Sequence, residues 1–191
     1  MSTIIREGYH GTSVDNANNI TNQGFVISKG YSHWLGDGVY FFVKGLCDPE
    51  HAACQWAIVN AWDNDNKTNK YEEYATLKVN INCDNSKVLD LTTCDGVEIL
   101  DYIQERCINK IKKVKKEKNL KYVDGFLINF AREQLLIDLD IVISNMYIQL
   151  TKEQRIKRIN RRTQNCTVCA VFDPGAYVNI VGVCKTDKVA L

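Results

Sequence analysis

Several features that announce a function by themselves are missing from this chain. Its 191 residues hold no apolar run of roughly eighteen, the length that crosses a bilayer as a helix. No basic, apolar and small-residue succession of a secretory leader opens it. The net charge is +1, which excludes a global field that gathers nucleic acid or an anionic membrane. A Gly-Lys-Ser/Thr phosphate loop and a Gly-x-Ser-x-Gly elbow are both lacking, which removes the common nucleotide-triphosphatase and hydrolase signatures. Histidines are scarce and scattered at His10, His33 and His51, so a zinc enzyme does not follow from spacing. Cys166-Thr167-Val168-Cys169 has CxxC spacing but no second pair to complete a structural zinc site. No metal is expected. The eight cysteines then read as free, mostly buried thiols of a reduced, cytoplasmic protein.

What is present is ordinary globular composition, with 45% hydrophobic and 25% charged residues. The length suits one domain over 1–191 with a substantial core. No repeat, low-complexity tract or strong linker divides it.

The chain is organised around Leu35-Gly36-Asp37-Gly38-Val39-Tyr40-Phe41-Phe42. Two glycines free the backbone just before a β-branched and aromatic run that reads as a short buried strand. On it Tyr40 and Phe42 share one face, Val39 and Phe41 the other. Upstream, a strand over Ile4–Tyr9 runs into His10-Gly11-Thr12-Ser13. Ser13 caps a helix over Val14–Gln23 that exits at Gly24. Phe25-Val26-Ile27 is extended, and Gly30 to Asp37 is a polar loop holding Tyr31, His33 and Trp34.

Asp48-Pro49 opens a helix through Trp62 with Ala52, Ala53, Trp56, Val59 and Ala61 at helical spacing. A polar loop over 63–70 precedes the clearest strand, Tyr74–Ile81, with Ala75, Leu77, Val79 and Ile81 on one face. Val88–Leu91 is extended. A long amphipathic helix starts at Asp95 and carries Val97, Leu100, Ile103, Cys107, Ile111 and Val114. Its end is rich in lysine from Lys110 to Lys121, either a solvated helix face or a docking patch for an acidic protein or a nucleic acid. Gly125–Leu136 is helical, and Asp138–Ile148 carries no clear period. Thr151–Arg162 is basic and polar. Cys166–Phe172 and Tyr177–Val183 are strands about a turn at Asp173-Pro174-Gly175.

The pair His10-Gly11-Thr12 and Gly36-Asp37-Gly38-Val39-Tyr40-Phe41 resembles the ADP-ribosyltransferases of the poly(ADP-ribose) polymerase and diphtheria-toxin type, the small bacterial and phage-related members above all. The match lies in the first quarter of the chain and thins beyond residue 62. The resemblance implies an α+β fold, a split and mostly antiparallel sheet around an NAD pocket. It implies that His10 bonds a ribose hydroxyl of the adenosine half and that Gly11 offers its backbone to the nicotinamide amide. Thr12 then supports the adenosine ribose, Tyr40 faces His10 across the cleft and lines the nicotinamide pocket, and Trp56 adds a second ring from the following helix.

The family's catalytic Glu, at the start of a late strand, falls here on Val168; Gln164, four residues earlier, is the second choice for that role. The Arg and Ser-Thr-Ser pattern of the cholera-toxin type is absent, and the adjacent Glu72 and Glu73 would point to opposite faces of a strand. The implied activity is mono-ADP-ribosyl transfer from NAD, as substrate, to a protein or nucleic-acid acceptor. A toxin or phage-defence effector with an antitoxin or regulatory partner fits that size, with no role for a membrane. The alternatives are an NAD or ADP-ribose sensor and an NAD glycohydrolase. Each residue also has a plain reading: His10 as a strand-end histidine bonded to backbone, Tyr40 and Trp56 as core aromatics.

Overall fold

A computed structural model describes residues 3–30, 33–118, 120 and 123–189. Tyr31 and Lys121 of the expectations above lie outside them, and residues 115–118 are described through their helical backbone.

The first strand, β1 (Thr3–Ser13), is longer than its apolar start because His10, Gly11 and Thr12 continue the ladder. Helix α1 (Val14–Gln23) has the expected limits: the Ser13 hydroxyl accepts the Asn16 N–H at 3.2 Å, and Gly24, at φ 84°, returns its N–H to the Ile20 carbonyl. Phe25–Ile27 follows without joining a sheet. Strand β2 (Val39–Val43) leads to α2 (Pro49–Ala61), where Asp48 caps the His51 N–H and proline sits in the first turn.

The buried face of α2 is made of small residues, Ala52, Ala53, Ala57 and Ala61, so its backbone can approach the sheet closely. The polar loop after it folds as a small hairpin, β3 (Trp62–Asp63) with β4 (Thr68–Asn69), around the Asp63 carboxylate, which accepts the Asp65 and Asn66 N–H groups.

Strand β5 (Glu73–Asp84) extends the expected alternation at both ends. It is followed by β6 (Val88–Asp90) and α3 (Cys94–Lys118). The helix α3 starts at Cys94 rather than Asp95, with the Thr93 hydroxyl accepting the Gly96 N–H, and it kinks at Cys107 (φ −123°, ψ 16°). Helix α4 (Val123–Gln134) packs on it through Leu127, Phe130 and Ala131.

The stretch without a period contains β7 (Ile141–Met146). Ile141, Val142 and Ile143 are all buried, and a strand covered on both faces shows no alternation. The basic segment forms a short helix, α5 (Lys152–Ile156). Strand β8 (Cys166–Val171), the turn helix α6 (Pro174–Tyr177) and the edge strand β9 (Val178–Lys188) complete the chain. All eight cysteines are free and five are buried. Cys166 and Cys169, three apart on β8, point to opposite faces.

The result is an α+β fold with a seven-stranded sheet in the order β6-β7-β8-β2-β1-β5-β9, antiparallel except for the parallel pair β6 and β7. The sheet is continuous, but it narrows at one seam. β1 pairs with β5 along its whole length, from Thr3↔Asp84 to Ser13↔Tyr74. Against β2 it registers at Gly8↔Val43 and Tyr9↔Phe42. Beyond that seam β2 follows β8, with Val39 opposite Val171 and Phe42 opposite Val168. The expected split into two halves is not found, since all seven strands form one sheet; within it β1 and β2 part as a fork at His10. One face of the sheet buries Phe41, Val43, Val79, Ile81, Ile143 and Cys169; the other buries Tyr9, Phe42 and Val168 under α2.

Candidate functional site

The fork is lined. A cavity of about 1000 Å³ runs along it, bordered by His10, Gly11 and Thr12 of β1, by one face of α1, by the loop before β2, by Tyr40 and Phe42, and by Trp56, Ile148 and Val168. The volume is at the upper end of the range for small-molecule sites.

His10 is fixed by its surroundings. Its Nδ1 lies 2.9 Å from the Tyr40 carbonyl oxygen, which can only accept, so Nδ1 carries the proton. Burial pushes the imidazole below the usual histidine range, against a smaller opposing effect of that carbonyl. The ring is therefore neutral near pH 7, and Nε2 is an acceptor with no hydrogen bond to the described residues. Phe25 meets the imidazole edgewise with ring centres 5.3 Å apart, and Phe41 lies tilted to it at 5.8 Å.

Tyr40 leaves the opposite face of β2 from Phe41, so it does not stand across from the imidazole as the resemblance implied. The imidazole meets the Tyr40 carbonyl, not its phenol. Both residues border one cavity because the fork passes through the plane of the sheet.

The phenol fixes the loop before it. It donates to the Gly36 carbonyl at 2.7 Å and accepts the Leu35 N–H at 2.8 Å. Burial raises its pKa well above the usual phenol range, so it stays a donor. Gly36, at φ 90°, allows that turn, and a side chain there would strike Asn129. Asn129 of α4 accepts the Asp37 N–H at 2.9 Å. The same loop joins the His33 Nδ1 to the Asp37 carboxylate at 2.9 Å. Trp34 meets Tyr40 at 5.9 Å and Trp56 at 5.5 Å, both edgewise, so three rings gather at this end. The Arg155 guanidinium lies over Trp56 at 5.1 Å and is held by the Val59 carbonyl and the Asn60 side chain, both at 2.8 Å.

No family model matches this chain. An uncharacterized protein of Methanocaldococcus jannaschii, MJ0359, is 28% identical over 180 residues, spanning 87% of this chain and 79% of that protein. Its name carries no activity to compare.

The structure brings His10, Gly11, Thr12, Tyr40, Trp56 and Val168 to one cavity. The fold itself requires Gly11: a Cβ there would sit 1.9 Å from the Ala53 carbonyl oxygen, so the missing side chain makes room for α2. Thr12 has a partner in Asn16, whose amide donates to its hydroxyl at 3.4 Å. Val168 is buried opposite Phe42 and contributes only methyl groups.

Gln164 is not part of the site. Strand β8 starts two residues later at Cys166, and Gln164 is exposed outside the cavity lining. Asn165 has the ordered role instead, donating to the Ile148 carbonyl and accepting its N–H, both at 2.9 Å. Among the described residues, none that line the cavity is Asp or Glu.

Sequence reasoning missed Phe25 as the support of His10, Asn129 as the tie for the loop, and Asn16, Asn19 and Gln23 as a polar wall. The last three recur at helical spacing and could have been found from it. Asn129 lies 92 residues from its partner Asp37 and left no local signal.

Proposed function

We propose that this chain binds NAD in the forked cleft and transfers a single ADP-ribose group to an acceptor, as a mono-ADP-ribosyltransferase. One observation carries the reading: a neutral imidazole with an unbonded Nε2 and a cluster of three aromatic rings border one cavity at the point where two strands part.

The reaction is glycosyl chemistry, with an oxocarbenium-like transition state. The bond between ribose and nicotinamide breaks with its electron pair leaving on nicotinamide, which departs neutral. An acceptor oxygen or nitrogen supplies the pair for the new bond to the same carbon, and its proton passes to water. The His10 Nε2 accepts a ribose hydroxyl. Trp34, Tyr40 and Trp56 take the pyridinium ring, which is cationic before cleavage and suited to aromatic faces. The amides of Asn16, Asn19 and Gln23 serve the polar atoms of the remaining dinucleotide. Such fixing supplies a large share of the rate without any group exchanging protons.

Val168 supports a second reading, binding of NAD or ADP-ribose without transfer. A catalytic carboxylate is worth roughly 10²–10⁴ in rate, and none lines this cavity among the described residues. Its absence also favours one transfer over the growth of a polymer.

Incubation of the protein with adenylate-labelled NAD and a cell lysate separates these readings. Transfer gives labelled macromolecule of discrete size and one nicotinamide released per label. Free nicotinamide without labelled acceptor identifies a glycohydrolase. Calorimetric NAD binding with neither product identifies a sensor. His10→Ala is expected to weaken NAD binding at least tenfold; unchanged binding places NAD elsewhere and removes the proposal.

A further inference from the structure

Two stretches of the chain are strongly basic, and the structure separates them. The lysines near the end of α3 border a second cavity of about 660 Å³, where Glu133 and Asp37 supply carboxylates beside Lys110 and Lys113. The Lys110 ammonium is already placed over the Phe130 ring at 4.4 Å. Two carboxylates thus stand on the border of that patch.

The segment from Thr151 to Arg162 differs. It holds Lys152, Arg155, Lys157, Arg158, Arg161 and Arg162 against a single acid, Glu153, in a protein whose whole charge is +1. Lys157 pairs with Glu153. Arg158, Arg161 and Arg162 are exposed and have no carboxylate partner among the described residues.

Arg158 stands at φ 50°, in the left-handed region that favours glycine or asparagine at a helix exit. A charge is held there against a local backbone preference. Arg161 lies over the Tyr147 ring at 5.4 Å, which puts a guanidinium and an aromatic face side by side.

The segment is fixed to the cleft at two points. Arg155 clamps Trp56, and Asn165 closes the base of the loop on Ile148; both Trp56 and Ile148 line the cavity. Tyr147 and Gln149 both donate to the Ile159 carbonyl, so the loop is tied across its middle as well. Three residues after it comes Val168, which lines the cavity and, on the transferase reading, borders the ribose carbon that the acceptor attacks.

From this juxtaposition we infer that the loop over 147–165 is the docking surface for a nucleic-acid strand, and that this strand is the acceptor. Guanidinium forks match phosphodiester oxygens in pairs, and they outnumber ammonium groups here. Tyr147 offers a face on which a base can stack. The acceptor role rests on the transferase reading; the docking does not.

The test is fluorescence polarisation with labelled single-stranded DNA and RNA oligonucleotides of about twenty nucleotides, a usual span for strand binding. The wild-type protein binds, and Arg158→Gln/Arg161→Gln/Arg162→Gln weakens binding more than tenfold. The slope of log K against log salt falls by about 2, from three lost contacts at about 0.7 each on a single strand. The melting temperature of the variant stays at the wild-type value, since these side chains are exposed. Lys112→Gln/Lys113→Gln on α3 leaves oligonucleotide binding unchanged.

Absence of wild-type binding overturns the inference, as does an equal loss in the α3 variant. Label from NAD that resists nuclease and yields to protease shows a protein as the acceptor and overturns it too. If NAD binding fails by calorimetry while oligonucleotides still bind, the transferase reading falls and the docking surface stands.

Discussion

At one end of the cleft His10 stands between Phe25 and Phe41, its proton fixed on Nδ1, with the amides of α1 beside it. At the other, Trp34, Tyr40 and Trp56 surround a floor of Ile148 and Val168 that brings no ionisable group. The first end is built for hydrogen bonds to a polar ligand. The second is built for a flat ring and lacks a proton acceptor. The two ends thus offer different chemistry along one cavity, and no carboxylate lines either among the described residues.

The largest test of the comparison removes the wall both ends share. Gly11→Ala drives a methyl group into the Ala53 carbonyl, and α2 must retreat. A loss of about 3 kcal/mol or more is expected, at the upper end for overpacking. Thermal denaturation and NAD titration read it together. A variant with wild-type stability and affinity would show that the seat of α2 does not set the cleft.

Next comes the missing carboxylate. Val168→Glu is expected to raise nicotinamide release about 10²-fold, the lower range for general-base assistance, with a rate that climbs with pH as the carboxyl ionises. No gain in a variant that still folds and binds NAD would mean that the two ends do not meet the same ligand.

Tyr40→Phe probes the tie between the aromatic end and its loop. It leaves the Leu35 N–H without its partner and the Gly36 carbonyl with the Gly38 N–H alone, a cost of about 1–3 kcal/mol in chemical denaturation. NAD affinity is expected to drop about tenfold, while the ring itself remains.

The smallest effect concerns the His10 end and pH. Its folded pKa lies below the ordinary value of about 6.5, so the unfolded chain takes up the proton first. The contribution to stability is complete above that value and falls as pH drops through the window below it, by at most about 1.4 kcal/mol per pH unit for one proton. His10→Phe abolishes this part of the acid slope; an unchanged slope would mean that the imidazole is as solvated folded as unfolded.

Much of the fold was legible because it rests on local chemistry. Ser13, Asp48 and Gly24 mark helix ends by hydrogen bonds within a turn, and β5 shows its alternation because part of one face stays wet. Strand β7 was not legible, since burial on both faces erases the period. Gln164, the second choice for the catalytic role, lies before the strand begins; the chain there is held by Asn165 on Ile148, a contact across 17 residues that no periodicity reports. The reason for Gly11 was also hidden, because the atom it must avoid belongs to Ala53, in another element.

The sequence alone determined which residues could matter at the two strand ends, because His-Gly-Thr and Gly-Asp-Gly-Val-Tyr-Phe specify backbone freedom, ring chemistry and strand alternation within a few residues. Tertiary structure decided how they meet. The imidazole and the phenol leave opposite faces of the sheet, and they reach one cavity because β1 and β2 stay paired at Gly8 and Tyr9 and then diverge. Past that point β1 continues along β5 and β2 along β8, a matter of long-range pairing that no local pattern of residues records.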